Sequence, residues 1–230
     1  YQWQKIVGAD TTNISGAITT NYTETSHLTT TTKYRRAVIS NIGCGTVYSN
    51  IITVTVYPEV NPGTISSDQN ICYNTVPAAF TNTPAQGGGG GSYIWKKTTD
   101  FNTIQNVLFS QSYSETGSLI TTTHYFRQYI TTNCGVANSD TIDVVVYAAL
   151  SPGSIGTSQT ICSGTPPAPF TSTGSGQGGG SNNSYQWQRK LFGGSWTNIS
   201  DANAANYTES SNLTTETKYR SGLYCAGRIR

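Results

Sequence analysis

Charge is scarce in this sequence: Asp, Glu, Lys and Arg supply 10% of its 230 residues, and the net charge is +2. Polarity comes instead from Thr, Ser, Asn and Gly, whose hydroxyls and amides suit exposed strands better than helix surfaces. Thr, Tyr, Val and Ile fit a pleated, half-buried surface. Helical periodicity is nearly absent and Met is missing altogether, so the chain reads as all-β. No Lys/Arg cluster is long enough to track a phosphate backbone, which excludes a nucleic-acid partner. The isolated pairs Arg35–Arg36 and Lys96–Lys97 read as solvated strand faces. No apolar run approaches the roughly 20 residues of a membrane span. A signal peptide is also absent, but the chain begins inside a repeat, which leaves export open.

Motifs that carry chemistry are missing as well. A zinc site needs four ligands at short spacing, commonly from Cys-x-x-Cys pairs or Cys with His. No such pair occurs, and His27 and His124 fall at non-equivalent repeat positions. There is no Asp-x-Asp-x-Asp loop for calcium, no recurring carboxylate pair for glycoside hydrolysis and no matched Ser–His set for a triad. Gly87 to Gly91 and Gly178 to Gly180 lack the Lys-Ser/Thr and the following helix of a phosphate cradle. They read as flexible inter-strand loops. No catalytic residue, metal or cofactor is assigned, and the chain is read as non-enzymatic.

What the sequence does hold is a repeat. Trp3, Trp95 and Trp187 stand 92 residues apart in matching contexts, Tyr1-Gln2-Trp3-Gln4, Tyr93-Ile94-Trp95-Lys96 and Tyr185-Gln186-Trp187-Gln188. Downstream lie Asn21-Tyr22-Thr23-Glu24, Ser112-Tyr113-Ser114-Glu115 and Asn206-Tyr207-Thr208-Glu209, then Tyr34-Arg35-Arg36, Tyr125-Phe126-Arg127 and Tyr219-Arg220. Cys44, Cys134 and Cys225 close the series. Asn61-Pro62-Gly63-Thr64-Ile65 matches Ser151-Pro152-Gly153-Ser154-Ile155, and Gln69-Asn70-Ile71-Cys72 matches Gln159-Thr160-Ile161-Cys162. The domains are therefore 1–58, the later part of repeat one; 59–148, a complete repeat two; and 149–230, a repeat three expected to stop at Ile229-Arg230 before its last strand. On this reading the chain continues in both directions or is completed by neighbouring chains. Ile142, Val144 and Val146 alternate with Asp143 and Val145, a period of two that marks a strand with one face on a core. About seven short strands in about 90 residues fit a β-sandwich.

The cysteines follow the same register. Cys72 and Cys134 fall in one repeat, as do Cys162 and Cys225, while Cys44 lacks a partner in the chain. The expected bridges are Cys72–Cys134 and Cys162–Cys225, each closing a loop worth about 4 kcal/mol in the chain-entropy model. Disulfides place a protein in an oxidising compartment outside the cytosol.

The Cys–Trp–Cys order resembles immunoglobulin-like domains, with a longer first interval and a shorter second one than the antibody type. The bridge is accordingly expected to join an early strand to the final hairpin. Asn21-Tyr22-Thr23, Leu28-Thr29-Thr30-Thr31-Thr32, Tyr34-Arg35-Arg36, Cys44-Gly45 and Val54-Thr55-Val56-Tyr57-Pro58 resemble repeats of very large cell-surface adhesins of the Bacteroidota, over nearly all of the chain. That resemblance implies type IX secretion and a role like that of gliding or attachment adhesins. It also gives meaning to Asp140-Thr141-Ile142 and Asp10-Thr11-Thr12, which resemble an O-glycosylation acceptor of that phylum. Thr141 and Thr11 are thus candidate modification sites.

Trp3, Trp95 and Trp187 recur at one strand centre and read as core aromatics. Trp196, found only in repeat three beside Gly193-Gly194, is the candidate exposed ligand contact. The junction Val56-Tyr57-Pro58-Glu59-Val60-Asn61-Pro62 runs one repeat almost directly into the next across two prolines, which limits bending. Tandem immunoglobulin-like sandwiches of about 90 residues stacked into an extended rod are the expected architecture. The expected function is an extracellular stalk or filament segment of a surface adhesin, spacing a binding tip. Its partners would be neighbouring repeats and other copies in a filament. A glycan-binding module taking surface glycans, or an accessory region of a secreted polysaccharide-degrading enzyme, is the alternative.

Overall fold

The computed structural model describes residues 1–180 and 183–225. Every regular element among them is a β-strand. In chain order these are β1 (Gln2–Val7), β2 (Asp10–Asn13), β3 (Thr32–Ile39), β4 (Thr46–Tyr48), β5 (Ile52–Val54), β6 (Ile65–Ser66), β7 (Gln69–Ile71), β8 (Thr81–Asn82), β9 (Gly91–Thr98), β10 (Gln105–Leu108), β11 (Thr123–Thr131) and β12 (Gly135–Val146). There follow β13 (Ser154–Ile155), β14 (Ser172–Gly174), β15 (Ser184–Leu191), β16 (Thr197–Asn198) and β17 (Thr217–Tyr224). Two compact bodies result. One comprises Tyr1–Thr64, Thr83–Ile94 and Arg127–Ser139; the other comprises Ile65–Asn82, Trp95–Phe126 and the chain from Asp140 onward.

In the first body β1 to β4 form a sheet in the order β2-β1-β3-β4, and β5 also pairs with β3. Trp3 opposes Arg36 and Gln4 opposes Arg35. Across that register Arg35 Nε donates to Gln4 Oε1 at 2.8 Å. Ile52 and Val54 stand opposite Tyr34 and Thr32. Both stay exposed, at 54% and 40%, although their alternation matches that of Ile142 and Val144.

The second body shows what covers such a strand. Its main core gathers Ile65, Phe80, Trp95, Leu119, Tyr125, Ile142 and Val144, with Ile71 and Val146 packed against it. Ile142 and Val144 are fully buried while Val145 is 37% exposed. Each buried side chain of this size contributes roughly 1.5–3 kcal/mol. A five-stranded sheet runs β10-β9-β11-β12-β7 and a separate two-stranded sheet pairs β6 with β8. The early strand β7 crosses to lie parallel to β12, with Val144 beside Gln69 and Val146 beside Ile71.

The third repeat reuses these parts. Phe170 stacks on Trp187 at 5.9 Å, as Phe80 does on Trp95 at 5.9 Å. Gln188 opposes Arg220 on the paired β15 and β17. One side of this core is open: a groove of about 810 Å³ is lined by Ile155, Ile161, Pro167, Phe170, Leu213 and Tyr219. Their counterparts Ile65, Phe80, Leu119 and Tyr125 surround Ile142 and Val144, so the groove occupies the place that β12 fills in repeat two. Ile229 and Arg230, where the corresponding strand is expected to begin, lie outside the described residues.

Candidate functional site

The two joints between consecutive repeats are built alike. At the first, Gly88 N–H donates to the Pro58 carbonyl at 2.9 Å, and Asn61 and Gln86 exchange backbone hydrogen bonds at 2.9 Å. At the second, Gly179 N–H donates to the Ala148 carbonyl at 2.9 Å, and Ser151 and Gln177 exchange theirs at 2.9 and 2.8 Å. A Cβ on Gly87 would collide with the Glu59 carbonyl, and one on Gly178 with that of Ala149. A Cβ on Gly89 would strike the Tyr57 ring, and one on Gly180 the Tyr147 ring. All four glycines have φ between 77° and 83°, a region other residues rarely enter. The glycine runs are therefore not the flexible loops the sequence suggested. They are tight turns seated on the preceding tyrosine. Ala148 stands where the first joint has Pro58, so the same geometry forms without that proline.

The cysteines pair differently from the sequence expectation. Among the described residues one bridge is present, joining Cys72 to Cys225, with Cα atoms 6.2 Å apart and a sequence separation of 153. Cys134 and Cys162 are free and exposed, as is Cys44. The physical reason lies in β12. Cys72 follows β7, which pairs with the Val146 end of that strand, whereas Cys134 stands just before its Gly135 start. A strand of 12 residues spans roughly 35–40 Å, far beyond the ~7 Å limit for bridged Cα atoms. Cys72 instead lies at the joint to the next repeat, where Tyr147 N–H donates to the Ile71 carbonyl at 2.9 Å. Cys225 reaches the same joint, its sulfur 3.4 Å from the Gly179 carbonyl. The Cys72–Cys134 and Cys162–Cys225 pairings are thereby corrected.

A second recurring constellation went unread. Glu115, with a side chain 8% exposed, receives Lys97 Nζ at 2.8 Å, and the Tyr113 and Tyr125 hydroxyls both donate to Oε2 at 2.9 Å. The Thr116 and Gly117 amides donate to Oε1 at 3.1 Å. Burial alone would raise this carboxyl, but the donors outweigh it and hold it at about 2. Tyr113 and Tyr125 are pushed upward, first by burial and then by the carboxylate they serve. Repeat three repeats the motif: Tyr219 and Tyr207 donate to Glu209 Oε2 at 3.0 and 3.3 Å, with Arg189 Nη1 at 3.7 Å. In repeat one Tyr34 donates to Glu24 at 2.7 Å and Lys5 lies 3.8 Å away. The signal was present as the threefold Tyr-x-Glu, followed by Tyr ten residues on.

The remaining candidates divide. Trp95 and Trp187 are fully buried, while Trp3 is half-buried. Each Nε1 donates to a backbone carbonyl, of Gln111, Ala204 and Thr19 respectively, at 2.9–3.2 Å. Trp196 is half-buried rather than exposed, because the Arg220 guanidinium lies 4.3 Å over its ring. Thr11 and Thr141 are exposed on β2 and β12. Three of the four residues in the basic pairs, Arg35, Arg36 and Lys97, are half-buried and engaged by neighbouring groups. Arg36 lies over the Tyr1 ring at 4.5 Å, Arg35 over that of Tyr48 at 3.9 Å, and Lys97 serves Glu115. Arg127, the counterpart of Arg36, is fully buried and donates through Nη2 to the Pro62 and Thr83 carbonyls at 2.9 and 2.6 Å. His124 Nδ1 lies 2.7 Å from Asp143, and His27 is exposed. Among the described residues no group of three His, Cys, Asp or Glu could hold a metal, and no helix is long and apolar enough to cross a membrane.

Fold and joints together define an all-β protein in which the same aromatic core, carboxylate cage and glycine-turn joint recur along the chain. The chain belongs to the family described as a domain of unknown function, DUF8696, whose model matches three times in succession, over residues 1–58, 61–148 and 151–225. No curated protein matches it.

Proposed function

We propose that this chain is a structural stalk or filament segment of a secreted, surface-anchored adhesin. It would be built from immunoglobulin-like sandwich repeats (1–58, 59–148, 149–230) that space a binding tip. The observation that carries the reading is the joint. Two consecutive connections use the same backbone hydrogen bond and the same glycine turn against a tyrosine. A flexible linker needs no such construction, whereas a spacer gains rigidity from it. A parallel early strand beside the last strand, with β6 and β8 forming a separate two-stranded sheet, suits an immunoglobulin-like two-sheet arrangement. The Cys72–Cys225 bridge suits an oxidising, extracellular setting. The glycan-binding alternative has less behind it, since Trp95 and Trp187 are buried and Arg220 covers a face of Trp196. The reading includes no catalytic role.

Localisation gives a direct test. Antibodies against this chain should label intact cells of the source organism about as strongly as lysed ones. Labelling that requires lysis would refute a surface stalk.

A further inference from the structure

The one bridge and the three free thiols fall into a single rule once placed in the repeat register. Cys72 and Cys162 are the same position, one after Ile71 and the other after Ile161. Cys44, Cys134 and Cys225 are the other position, the turn after the Tyr-Arg strand. The bridge joins the first kind in repeat two to the second kind in repeat three. Neither kind joins within its own repeat.

Cys162 is held as Cys72 is, although it has no partner among the described residues. Thr75 Oγ1 donates to the Cys72 carbonyl at 2.7 Å, and Thr165 Oγ1 to the Cys162 carbonyl at 2.6 Å. Asn74 N–H donates to the Leu119 carbonyl at 2.8 Å, and Gly164 N–H to that of Leu213 at 2.8 Å. Asn74 and Gly164 both adopt positive φ, at 58° and 84°. The turn that presents a cysteine to the next repeat is thus complete in both places. On the receiving side, Cys134 N–H donates to Thr131 Oγ1 at 3.1 Å and Cys44 N–H to Ser40 Oγ at 3.2 Å. Thr131, which holds Cys134, stands against Gly88 of the first joint, as Cys225 stands against Gly179 of the second. Its would-be donor is the counterpart of Cys72 one repeat earlier, at a register position before Tyr1.

We propose that Cys72–Cys225 is one rung of a repeating inter-repeat staple, in which the Ile-Cys position of each repeat bridges to the hairpin cysteine of the next. The partner of Cys162 is then the hairpin cysteine of a following copy of this repeat, and the partners of Cys134 and Cys44 are Ile-Cys positions of preceding ones. Closing each rung breaks two S–H bonds and forms one S–S bond. The two electrons and two protons pass to a disulfide-bearing oxidant through thiol–disulfide exchange. The rule concerns covalent continuity along the chain and goes beyond the stalk reading, since it needs an oxidising compartment but no adhesin role.

The test is peptide mapping without reduction, after blocking free thiols. In the chain as it stands, Cys72–Cys225 should be the one linked pair, lost on reduction, with Cys44, Cys134 and Cys162 alkylated. A Cys72–Cys134 or Cys162–Cys225 pair would overturn the rule. In Cys225→Ser, Cys72 should become alkylated; its transfer to Cys134 would overturn the rule equally. The decisive arm adds a copy of residues 59–92 ahead of Tyr1, which supplies repeat one with its Ile-Cys position. The added cysteine should link to Cys134, with Cys72–Cys225 retained as the sign of a folded chain. A link to Cys44, inside its own repeat, would show that the rule is wrong.

Discussion

Replacing Glu115 with alanine is expected to destabilise the middle repeat by about 3–5 kcal/mol, the cost of removing one partner from a buried charged network. The substitution leaves the Lys97 ammonium and two tyrosine hydroxyls facing a void where one carboxylate had served all three. Glu115→Gln, which keeps the shape, should lose only the charge-assisted part, about 1.5–3 kcal/mol. Native-state hydrogen exchange read by mass spectrometry can place the loss on the strands around Trp95 and Tyr125. The same site sets a pH window. The folded carboxyl sits at about 2, below its ordinary 4.5, so its contribution is complete above about 4.5 and disappears as pH falls toward 2. The paired tyrosines are raised above their ordinary 10, so stability is also lost as pH climbs past that value. In Glu115→Gln the acid-side loss should shrink. An unchanged acid edge in that variant would show that the cage does not govern it.

Trp95→Ala should be comparably severe, at about 3–5 kcal/mol. The ring is fully buried against Phe80 and Tyr113, and its Nε1 satisfies the Gln111 carbonyl. Truncation both opens a cavity and removes that hydrogen bond. Trp3→Ala makes the informative comparison. Trp3 makes the equivalent hydrogen bond to Thr19, but it is only half-buried and meets Tyr22 in a tilted ring contact at 5.9 Å, with no phenylalanine in its repeat. Its loss should be less than half that of Trp95. Equal losses would mean that the strand position, not the covering layer, determines the cost.

Features that repeat within one strand were legible beforehand. The alternation of Ile142 and Val144 follows from chain periodicity alone, and the structure buries both. What escaped was whatever depends on which repeat a partner comes from. A periodic cysteine pattern fits a bridge within a repeat as well as one shifted by a full period, because 225 and 134 differ by one repeat length. Only the length of β12 and the parallel seating of β7 separate the two. The carboxylate cage escaped for a related reason. Its recurrence was visible, but Lys97 and Tyr125 come from strands separate from Tyr113 and Glu115, and nothing local to the Tyr-x-Glu motif says that they converge on it. The glycine runs were read as slack because composition records flexibility, not the tyrosine ring that leaves no room for a Cβ.

The most direct test of the stalk reading is small-angle scattering of the whole 230-residue chain in non-reducing buffer. Repeats in series through built joints should give an elongated particle, with a radius of gyration well above the ~17 Å of a single globule of this length. A compact particle at about that radius would contradict the account.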